Sequence, residues 1–465
     1  MQMNHILRRC CMFHPSSPHK RHAPMSAQGM IAWGFAALIA IVTLLLMLPA
    51  SSNTYTWTDP LTALFTAASA VCVTGLVVVD TAAHWSLFGR CVLLFAIQIG
   101  GLGVMTVLAL IAMMMGRRIG LRQRTLLVES VATLHLSGVV RLVRRALLGT
   151  LIIEGIGALL LCFRFVPQLG FARGLGYAVF HSVSAFCNAG FDLMGTVSGA
   201  FSSLESYVSD PLVNLTVCML ILLGGLGFFV WDDLWENRFR FKKLQLHTRV
   251  ILLITPVIVV IPSALFFFFE RSASMAGMDI QTRLLASLFS AVTPRTAGFD
   301  TLPTGTLSSA GSLLTLVLML TGGNPGSTAG GAKTTTMLVL VLLASSILRR
   351  EDDVHVLGRR LPNDLMRRAC SIVIVYVTVA LSAALMICGA QPELALKDVL
   401  IEVFSAINTV GMSTGITRAL NPFSRLIVIL LMYMGRLGSL TFALLIARPS
   451  APSPLRCPED RILIG

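Results

Sequence analysis

FSAINTVG, at residues 404–411, lies between two long apolar runs, one that ends near Cys388 and one that begins near Leu426. The stretch closes on Thr-Val-Gly. Glycine can adopt a positive φ and allows another backbone to approach closely. When such a stretch lies between membrane helices, its backbone carbonyls can point into a pore and replace the water around an ion. The tripeptide alone occurs often by chance, so its weight depends on the rest of the chain.

The same pattern recurs three more times along the sequence. A serine opens each copy and a glycine closes it; the step is six residues in three copies and eight in the other. Successive closing glycines lie 108 to 115 residues apart. This repetition predicts four pore units in one polypeptide. The copies are SAVCVTG at 69–75, SAFCNAG at 184–190, SAVTPRTAG at 290–298 and SAINTVG at 405–411.

A second glycine mark follows each copy, at the middle of the next apolar run. The serine-to-glycine pattern and the second glycine motif follow each other in all four copies, which argues against four unrelated Ser-Ala turns. The marks are Gly100-Gly101-Leu102-Gly103, Gly224-Gly225-Leu226-Gly227, Gly322-Gly323 and Gly435-Arg436-Leu437-Gly438.

The composition indicates a polytopic membrane protein. The 465 residues are 55% hydrophobic and only 12% charged, with a mean hydropathy of +0.80, whereas soluble domains carry about 25% charged residues. The apolar runs approach or exceed the roughly 20 residues that span a bilayer. They do not alternate as strands of an outer-membrane barrel would, so the spans are predicted to be helices.

The net charge of +14 is distributed in alternate loops, which argues against a nucleic-acid partner. Seven arginines lie in 117–145 and six in 349–368, and further basic clusters lie at both ends and in 238–249. By the positive-inside rule these loops and both termini are predicted to be cytoplasmic. The multi-pass protein is therefore expected in the cytoplasmic membrane, in contact with membrane lipid.

These observations predict an all-α fold with four pseudo-repeats of helix, pore loop and helix around one central pore. It would have eight spanning helices and four re-entrant loops. The predicted divisions are a basic cytoplasmic tail at 1–26, pore unit 1 at 27–116, pore unit 2 at 117–232, pore unit 3 at 233–350, and pore unit 4 with the C-terminal tail at 351–465. Met25 is an alternative start. The second helices of units 1, 2 and 4 are predicted at 90–115, 211–231 and 427–446.

The second helix of unit 3 is predicted to be broken by TGGNPGSTAGGAKTTT, at 321–336. A Gly/Pro/Asn/Ser loop inside a span is tolerated only where it lines a cavity, so this segment is the predicted gate. A phosphate loop is disfavoured because Ala332 occupies the glycine position of the Walker pattern. Lys333 could instead extend towards the membrane interface. The predicted gate residues in this loop are Gly322, Gly323, Asn324, Gly326, Ser327, Gly330, Gly331 and Lys333.

Arg436 is the strongest single candidate for a functional residue, because inserting an arginine at the middle of a membrane span costs free energy and such a residue is by default a functional hypothesis. It could act as an electrostatic barrier in the pore, or anchor neighbouring helices through backbone carbonyls. Asp192 and Asp300, each two residues after a closing glycine, could attract cations at an outer mouth or be solvated loop carboxylates. His181 and Glu402 are candidate supports of the re-entrant helices. The predicted ion-binding residues are Val73, Thr74, Gly75, Asn188, Ala189, Gly190, Thr296, Ala297, Gly298, Thr409, Val410 and Gly411.

Enzymatic function has little support in the sequence. There is no Ser/His/Asp set, the nine histidines do not fall at metal-ligand spacing, and the ten cysteines form no CxxC pair. We therefore predict no catalytic residues and no metal site other than the ion held by the predicted ion-binding residues. A membrane sensor or enzyme without transport remains a competing interpretation.

SAFCNAGF, TPRTAGF, GGNPGSTAGGAKTTT and MGRLGSLT resemble motifs of the K⁺ transporter superfamily (Trk/Ktr/HKT), and the likeness covers about 30–447. It is greatest to the KtrB-type potassium uptake subunits. The resemblance implies K⁺ uptake, a homodimer with one pore in each subunit, and a cytosolic nucleotide-binding regulatory partner (KtrA-like). It implies K⁺ as substrate with no covalently bound cofactor, and Na⁺ as a candidate activator. Leu76 and Met412 replace the aromatic residue that follows Gly190 and Gly298, so a low-selectivity monovalent cation channel (K⁺/Na⁺) is the alternative.

Overall fold

The computed structural model describes residues 27–103, 106 and 139–438, which are mainly helical. The predicted tail 1–26, the linker 117–124 and the end of the last predicted span lie outside the described residues. In the first half of the chain the helices are α1 (Ala27–Met47), α2 (Pro60–Val71), α3 (Thr81–His84), α4 (Leu87–Leu102), α5 (Val139–Leu169), α6 (Phe171–Phe186), α7 (Pro211–Leu226) and α8 (Phe228–Glu236).

The second half repeats this order. Its helices are α9 (Leu246–Phe269), α10 (Ile280–Val292), α11 (Ser309–Met319), α12 (Thr334–Leu348), α13 (Asn363–Ala390), α14 (Leu396–Ile407) and α15 (Pro422–Leu437). A two-residue antiparallel hairpin joins α12 to α13, with β1 at His355–Val356 and β2 at Arg359–Arg360.

The short helices α2, α6, α10 and α14 each pack on the long helix that precedes them, α1, α5, α9 and α13. Each short helix leads into one of four loops, which we call glycine loops 1 to 4 (72–75, 187–190, 295–298 and 408–411). Local sequence starts two of these helices clearly: the carboxylates of Asp59 and Asp279 accept hydrogen bonds from the N–H groups of Thr62 and Thr282, as N-cap residues do.

The second glycine marks end helices, which corrects one prediction. We expected unbroken helices at 90–115, 211–231 and 427–446, but α4, α7 and α15 stop just before Gly103, Gly227 and Gly438, whose φ values are 87°, 100° and 86°. A positive φ is accessible to glycine and ends a right-handed helix. At Gly227 the chain bends by 87° between α7 and α8.

Within the described residues, four helices are long and apolar enough to cross a membrane, or five if the bent pair α7 and α8 counts as one span. The four are the long helices α1, α5, α9 and α13. Large apolar side chains on them face outward, among them Trp33 (69% exposed) and Phe163 (69%). An exposed apolar surface on spanning helices is the surface that lipid covers, and the polar groups described below lie inside it.

Candidate cation pathway

The four glycine loops meet at their glycines. A Cβ atom placed on Gly75 would lie 3.2 Å from the Cα atom of Gly190 and 3.3 Å from that of Gly411. A Cβ atom placed on Gly298 would lie 3.1 Å from each of the same two Cα atoms. Loops 1 and 3 therefore each neighbour loops 2 and 4, and the four loops form a ring in which loops 2 and 4 face each other.

Contacts around this ring repeat in cyclic order. In every loop, a Cβ atom added to the glycine would meet the carbonyl oxygen of the residue before the glycine in the next loop. The distances are 2.5 Å from Gly75 to Ala189, 2.8 Å from Gly190 to Ala297 and 2.7 Å from Gly298 to Val410, and Gly411 closes the ring against Thr74. The four carbonyls thus follow one another around a common centre, and only glycine leaves them room.

The backbone of all four loops is held in the same uncommon conformation. The residue two positions before each glycine has a positive φ although it is not glycine, and each glycine is also at positive φ, between 69° and 96°. Left-handed backbone costs such residues about 1–2 kcal/mol each, and strain of this kind concentrates at functional sites. The residues are Val73 (φ 57°), Asn188 (58°), Thr296 (67°) and Thr409 (50°).

Hydroxyl groups at the ends of the short helices support the loops in two ways. In loops 1 and 4, Ser69 Oγ and Ser405 Oγ each accept a hydrogen bond from the N–H of the loop glycine, at 3.0 Å. In loop 2, Ser184 Oγ donates to the carbonyl of Phe191 at 2.7 Å. The recurring serine of the sequence pattern is therefore a support for the loop.

Loop 3 corrects the sequence alignment of the repeats. We matched Ser290 to the other serines, with a longer step to the glycine. In the structure Thr293 Oγ1 donates to the Phe299 carbonyl at 2.5 Å, as Ser184 does in loop 2. The third repeat is thus one residue shorter between the supporting hydroxyl and the glycine, and threonine replaces serine there.

A cavity of about 390 Å³ opens directly onto the four glycines and is lined by the segments that follow the four glycine loops. The predicted pair Asp192 and Asp300 lines it, and so do Asp80 and Glu205, which sequence reasoning missed because they do not share the two-residue spacing from a closing glycine. Four carboxylates facing one mouth raise the local cation concentration.

The carboxylates at the mouth are partly enclosed. Burial raises the pKa of Asp300 to about 8, and Thr304, which donates to its carboxylate at 2.9 Å, opposes the shift. Burial likewise raises the pKa of Asp192 to about 6, against the hydrogen bond from the Met194 N–H. Both side chains are half-buried, so neither is a freely solvated loop carboxylate.

Loop 322–333 lies against the opposite side of the ring and contacts loop 4 and the end of the helix that leads into loop 2. Thr328 Oγ1 donates to the carbonyl of Phe186, the last residue of α6, at 3.0 Å. The Ala332 N–H donates to Asn408 Oδ1 in loop 4 at 3.3 Å. A Cβ atom on Gly330 would collide with the side chain of Thr409. The loop therefore packs directly below residues 408 and 409 of the ring.

The same loop is also tied to the helix break between α7 and α8. Asn324 donates both its backbone N–H and its Nδ2 to the Gly225 carbonyl, at 3.0 Å each. The Gly326 carbonyl accepts from the Phe228 N–H at 2.8 Å. Ser327 Oγ closes a turn on the Asn324 carbonyl at 2.6 Å. The carbonyl of Gly225, in the second glycine motif of unit 2, thus binds the loop that interrupts the second helix of unit 3.

Lys333 folds back onto the loop instead of reaching an interface. Its Nζ donates to the carbonyls of Ala329 at 2.7 Å and Gly330 at 3.4 Å. The alternative of an extended, interface-seeking lysine is therefore wrong. The ammonium group replaces hydrogen bonds that these carbonyls lack in non-helical backbone.

Arg436 joins the loop to the first repeat. Its guanidinium donates to the carbonyl of Thr328 at 2.5 Å, and to those of Gly100 at 2.5 Å and Gly101 at 3.0 Å. The planar guanidinium suits such divergent acceptors. One side chain of α15 thus bridges loop 322–333 and the C-terminal end of α4.

Comparisons with known proteins agree with this architecture. The family described as TrkH, cation transport protein, matches residues 11–454. The Ktr system potassium uptake protein B of Bacillus subtilis is 39% identical over 441 residues, covering 94% of this chain and 96% of that protein. The potassium/sodium uptake protein NtpJ of Enterococcus hirae is 36% identical over 452 residues, covering 96% and 98%.

Among solved structures, the potassium transporter TrkH from Vibrio parahaemolyticus matches with a TM-score of 0.72 at 18% identity, covering 93% of this chain and 87% of that chain. This likeness concerns the fold, and the family match extends over nearly the whole sequence. The resemblance inferred from the sequence motifs is confirmed. The chain belongs to the TrkH family of cation transport proteins, and it is a transport protein rather than an enzyme.

Proposed function

We propose that this protein takes up K⁺ across the cytoplasmic membrane through a selectivity filter formed by the four glycine loops. The observation that carries the proposal is the cyclic order of carbonyl oxygens and glycines around one centre. Carbonyl oxygens in such a ring can replace the hydration shell of a monovalent cation. Similar proteins named for potassium uptake support K⁺ as the substrate.

The proposed filter comprises the twelve residues predicted from the sequence. Backbone carbonyls would bind the ion, so side chains can differ between loops while the glycine stays constant. The C-terminal ends of α2, α6, α10 and α14 lead into the ring, and their negative dipole ends favour a cation there. The carboxylates at the mouth would supply cations to it.

Loop 322–333 is proposed as the gate, because it packs against loop 4 and the end of α6, which leads into loop 2, and because no regular helix fixes its shape. Arg436 would hold the gate closed through the Thr328 carbonyl. Its positive charge would also oppose the passage of a cation, since the surroundings have a low dielectric constant.

We further propose the full arrangement of four pore units, with the boundaries 27–116, 117–232, 233–350 and 351–465, eight spans and cytoplasmic termini. The basic loops support this orientation. A homodimer and a KtrA-like nucleotide-binding partner are proposed from the resemblance alone. Light scattering of the purified protein in detergent tests the first, and co-purification with the cytosolic subunit tests the second.

A low-selectivity K⁺/Na⁺ pathway is the second candidate. It is favoured by Leu76 and Met412, which replace the phenylalanine that follows the glycine in loops 2 and 3. In loops 1 and 4 the supporting hydroxyl binds the glycine N–H, whereas in loops 2 and 3 it binds the carbonyl of that phenylalanine. A relative named for potassium and sodium uptake supports it as well. Na⁺ could also act as an activator instead of a substrate.

Flux into liposomes that contain the purified protein tests these proposals. Uptake of K⁺ at micromolar external concentration, with Na⁺ excluded, would support the K⁺-selective filter. Equal uptake of both ions would favour the second candidate. Absence of any cation flux, from protein that is monodisperse and inserted, would contradict both.

A further inference from the structure

Two buried polar side chains lie behind opposite loops of the ring, at the same place in their repeats. His181 and Glu402 each precede the glycine of their loop by nine residues, and both side chains are 0% exposed. His181 lies on α6 behind loop 2, and Glu402 lies on α14 behind loop 4. Loops 2 and 4 face each other across the ring.

Glu402 binds the segment that follows loop 4. Its Oε2 accepts a hydrogen bond from Ser413 Oγ at 2.7 Å, and its Oε1 accepts one from Thr417 Oγ1 at 2.6 Å. The two hydroxyls also lie 2.9 Å apart, so the three groups form a closed set. Ser413 and Thr417 line the cavity at the outer mouth. The carboxylate therefore fixes the wall that continues upward from Gly411.

His181 performs the corresponding task behind loop 2. Its Nδ1 lies 2.7 Å from the Tyr177 carbonyl and its Nε2 lies 3.3 Å from the Leu193 N–H. A carbonyl only accepts and an N–H only donates, so Nδ1 carries the proton and Nε2 accepts. Leu193 is three residues beyond Gly190. The imidazole ring of His181 also packs against the ring of Phe299, with 6.3 Å between the two centroids, and Phe299 follows the glycine of loop 3.

The other two repeats use their equivalent positions differently. In repeat 1 the position is Thr66, whose Oγ1 donates to the Thr62 carbonyl of its own helix at 2.9 Å. In repeat 3, allowing for the missing residue, the position holds Ser290. The side chains at these two positions are short. Only the opposing loops 2 and 4 have a long polar side chain that reaches from the short helix to the segment after the glycine.

We propose that Glu402 and His181 are positioning residues for cation selection, which hold the two opposing walls of the outer filter and so set the spacing between opposite carbonyls. The inference rests on the proposed filter. Neither side chain reaches the pathway, so each acts through the segment that it binds. Glu402 is the stronger support because it makes two short hydrogen bonds, at 2.6 and 2.7 Å, to the segment after its glycine, whereas His181 makes one to the segment after its own, at 3.3 Å.

The test compares K⁺ and Na⁺ uptake by the full-length protein in liposomes. For Glu402→Leu we expect the preference for K⁺ over Na⁺ to fall roughly tenfold, which corresponds to about 1.4 kcal/mol. Glu402→Gln retains one acceptor oxygen and should lie between Leu and the unchanged protein. His181→Leu should show a smaller loss in the same direction. Thr66→Val at the equivalent position of repeat 1 is the matched control and should keep the preference.

If Glu402→Leu does not fold, the hydroxyl partners of Glu402 can be changed instead. Ser413→Ala combined with Thr417→Val removes the same two hydrogen bonds and should lower the preference to a similar extent. Adding Glu402→Gln to this pair should cause little further loss, since the bonds are already absent. A purely structural role predicts less inserted protein with an unchanged ion preference.

Failure of this inference can be distinguished from failure of the filter proposal. If Gly411→Ser relaxes selectivity while Glu402→Gln and the Ser413/Thr417 pair keep it unchanged, the positioning role is overturned and the filter stands. If Gly411→Ser also leaves the preference unchanged, the filter assignment falls and the positioning role falls with it.

Discussion

Replacing Gly298 by serine should damage cation discrimination more than protein assembly. A Cβ atom at this position would lie 2.7 Å from the Val410 carbonyl oxygen of loop 4, whereas ordinary contacts of this kind begin at 3.4 Å. It would also lie 3.1 Å from the Cα atoms of Gly190 and Gly411. The neighbouring backbone must move by several tenths of an ångström, and the group that moves is a carbonyl of the ring.

The magnitude follows from the backbone conformation. Gly298 has φ +75°, where an L-residue pays about 1–2 kcal/mol. If this strain is relieved by displacing the ring carbonyls, the K⁺ preference loses a similar amount. That loss corresponds to roughly a 5- to 30-fold fall in the ratio of K⁺ to Na⁺ uptake.

Gly305→Ser provides the matched control for this prediction. Gly305 lines the same cavity, but its added Cβ would meet no atom closer than 3.5 Å, which is an ordinary contact. Both variants should be purified, compared for monodispersity and assayed for K⁺ and Na⁺ uptake in liposomes. An unchanged ratio in Gly298→Ser, or an equal fall in Gly305→Ser, would refute the argument from the ring geometry.

Three further predictions concern the gate and the outer mouth. Arg436→Gln removes the charge and most of three hydrogen bonds from a charged donor, each worth about 1.5–3 kcal/mol. Initial K⁺ uptake per inserted protein should therefore rise, with the ion preference retained. Normal expression with unchanged or reduced flux would contradict the barrier role. Deleting 326–330 should also raise flux without changing selectivity, and a folded deletion variant with unaltered uptake would contradict the gate assignment. Apparent K⁺ affinity should rise as external pH rises from about 6 to about 8, because Asp192 and Asp300 lose their protons in this range; in Asp300→Asn the upper part of the rise should disappear, and a profile identical to that of the unchanged protein would argue against the carboxylates.

Sequence reasoning located the loops well because the pattern was short, local and repeated. Glycine is required at four places where backbones approach, and no other residue satisfies the contact, so the repeat was visible without an alignment. The re-entrant segments were also predictable in kind, since each glycine loop is preceded by a short helix, as α14 (Leu396–Ile407) precedes loop 4. The roles of these residues in ion binding remain predictions.

Long-range partners were not predictable in the same way. Asp80 and Glu205 line the mouth although they lie five and fifteen residues after the glycines of their loops, at spacings that do not repeat. The true equivalent of the supporting serines in repeat 3 is Thr293, which a fixed serine-to-glycine step cannot reveal. Arg436 was recognised from the cost of burying its charge, but its three carbonyl partners lie more than a hundred residues away along the chain.

The helix breaks illustrate a further limit of periodicity. The apolar runs continue past Gly103, Gly227 and Gly438, so hydropathy predicts continuous helices there. At each of these glycines φ is nevertheless positive and the helix ends, and the carbonyls of Gly100, Gly101 and Gly225 accept hydrogen bonds from Arg436 or Asn324. Hydropathy indicates whether a segment lies in lipid or in water. Where a helix breaks depends instead on hydrogen-bond partners that only the tertiary structure supplies.

The ring has four equivalent glycines but two different kinds of hydroxyl support. Loops 1 and 4, which are neighbours, use a serine hydroxyl as acceptor for the glycine N–H, and loops 2 and 3 use a hydroxyl as donor to the phenylalanine that follows the glycine. In loops 2 and 3 the chain is therefore fixed one residue further outward. It follows that the same substitution need not have the same effect in every loop. Serine at Gly411 would meet the carbonyl of Thr74, in a loop whose glycine N–H is held by Ser405, whereas serine at Gly298 would meet the carbonyl of Val410, in a loop anchored at Phe299.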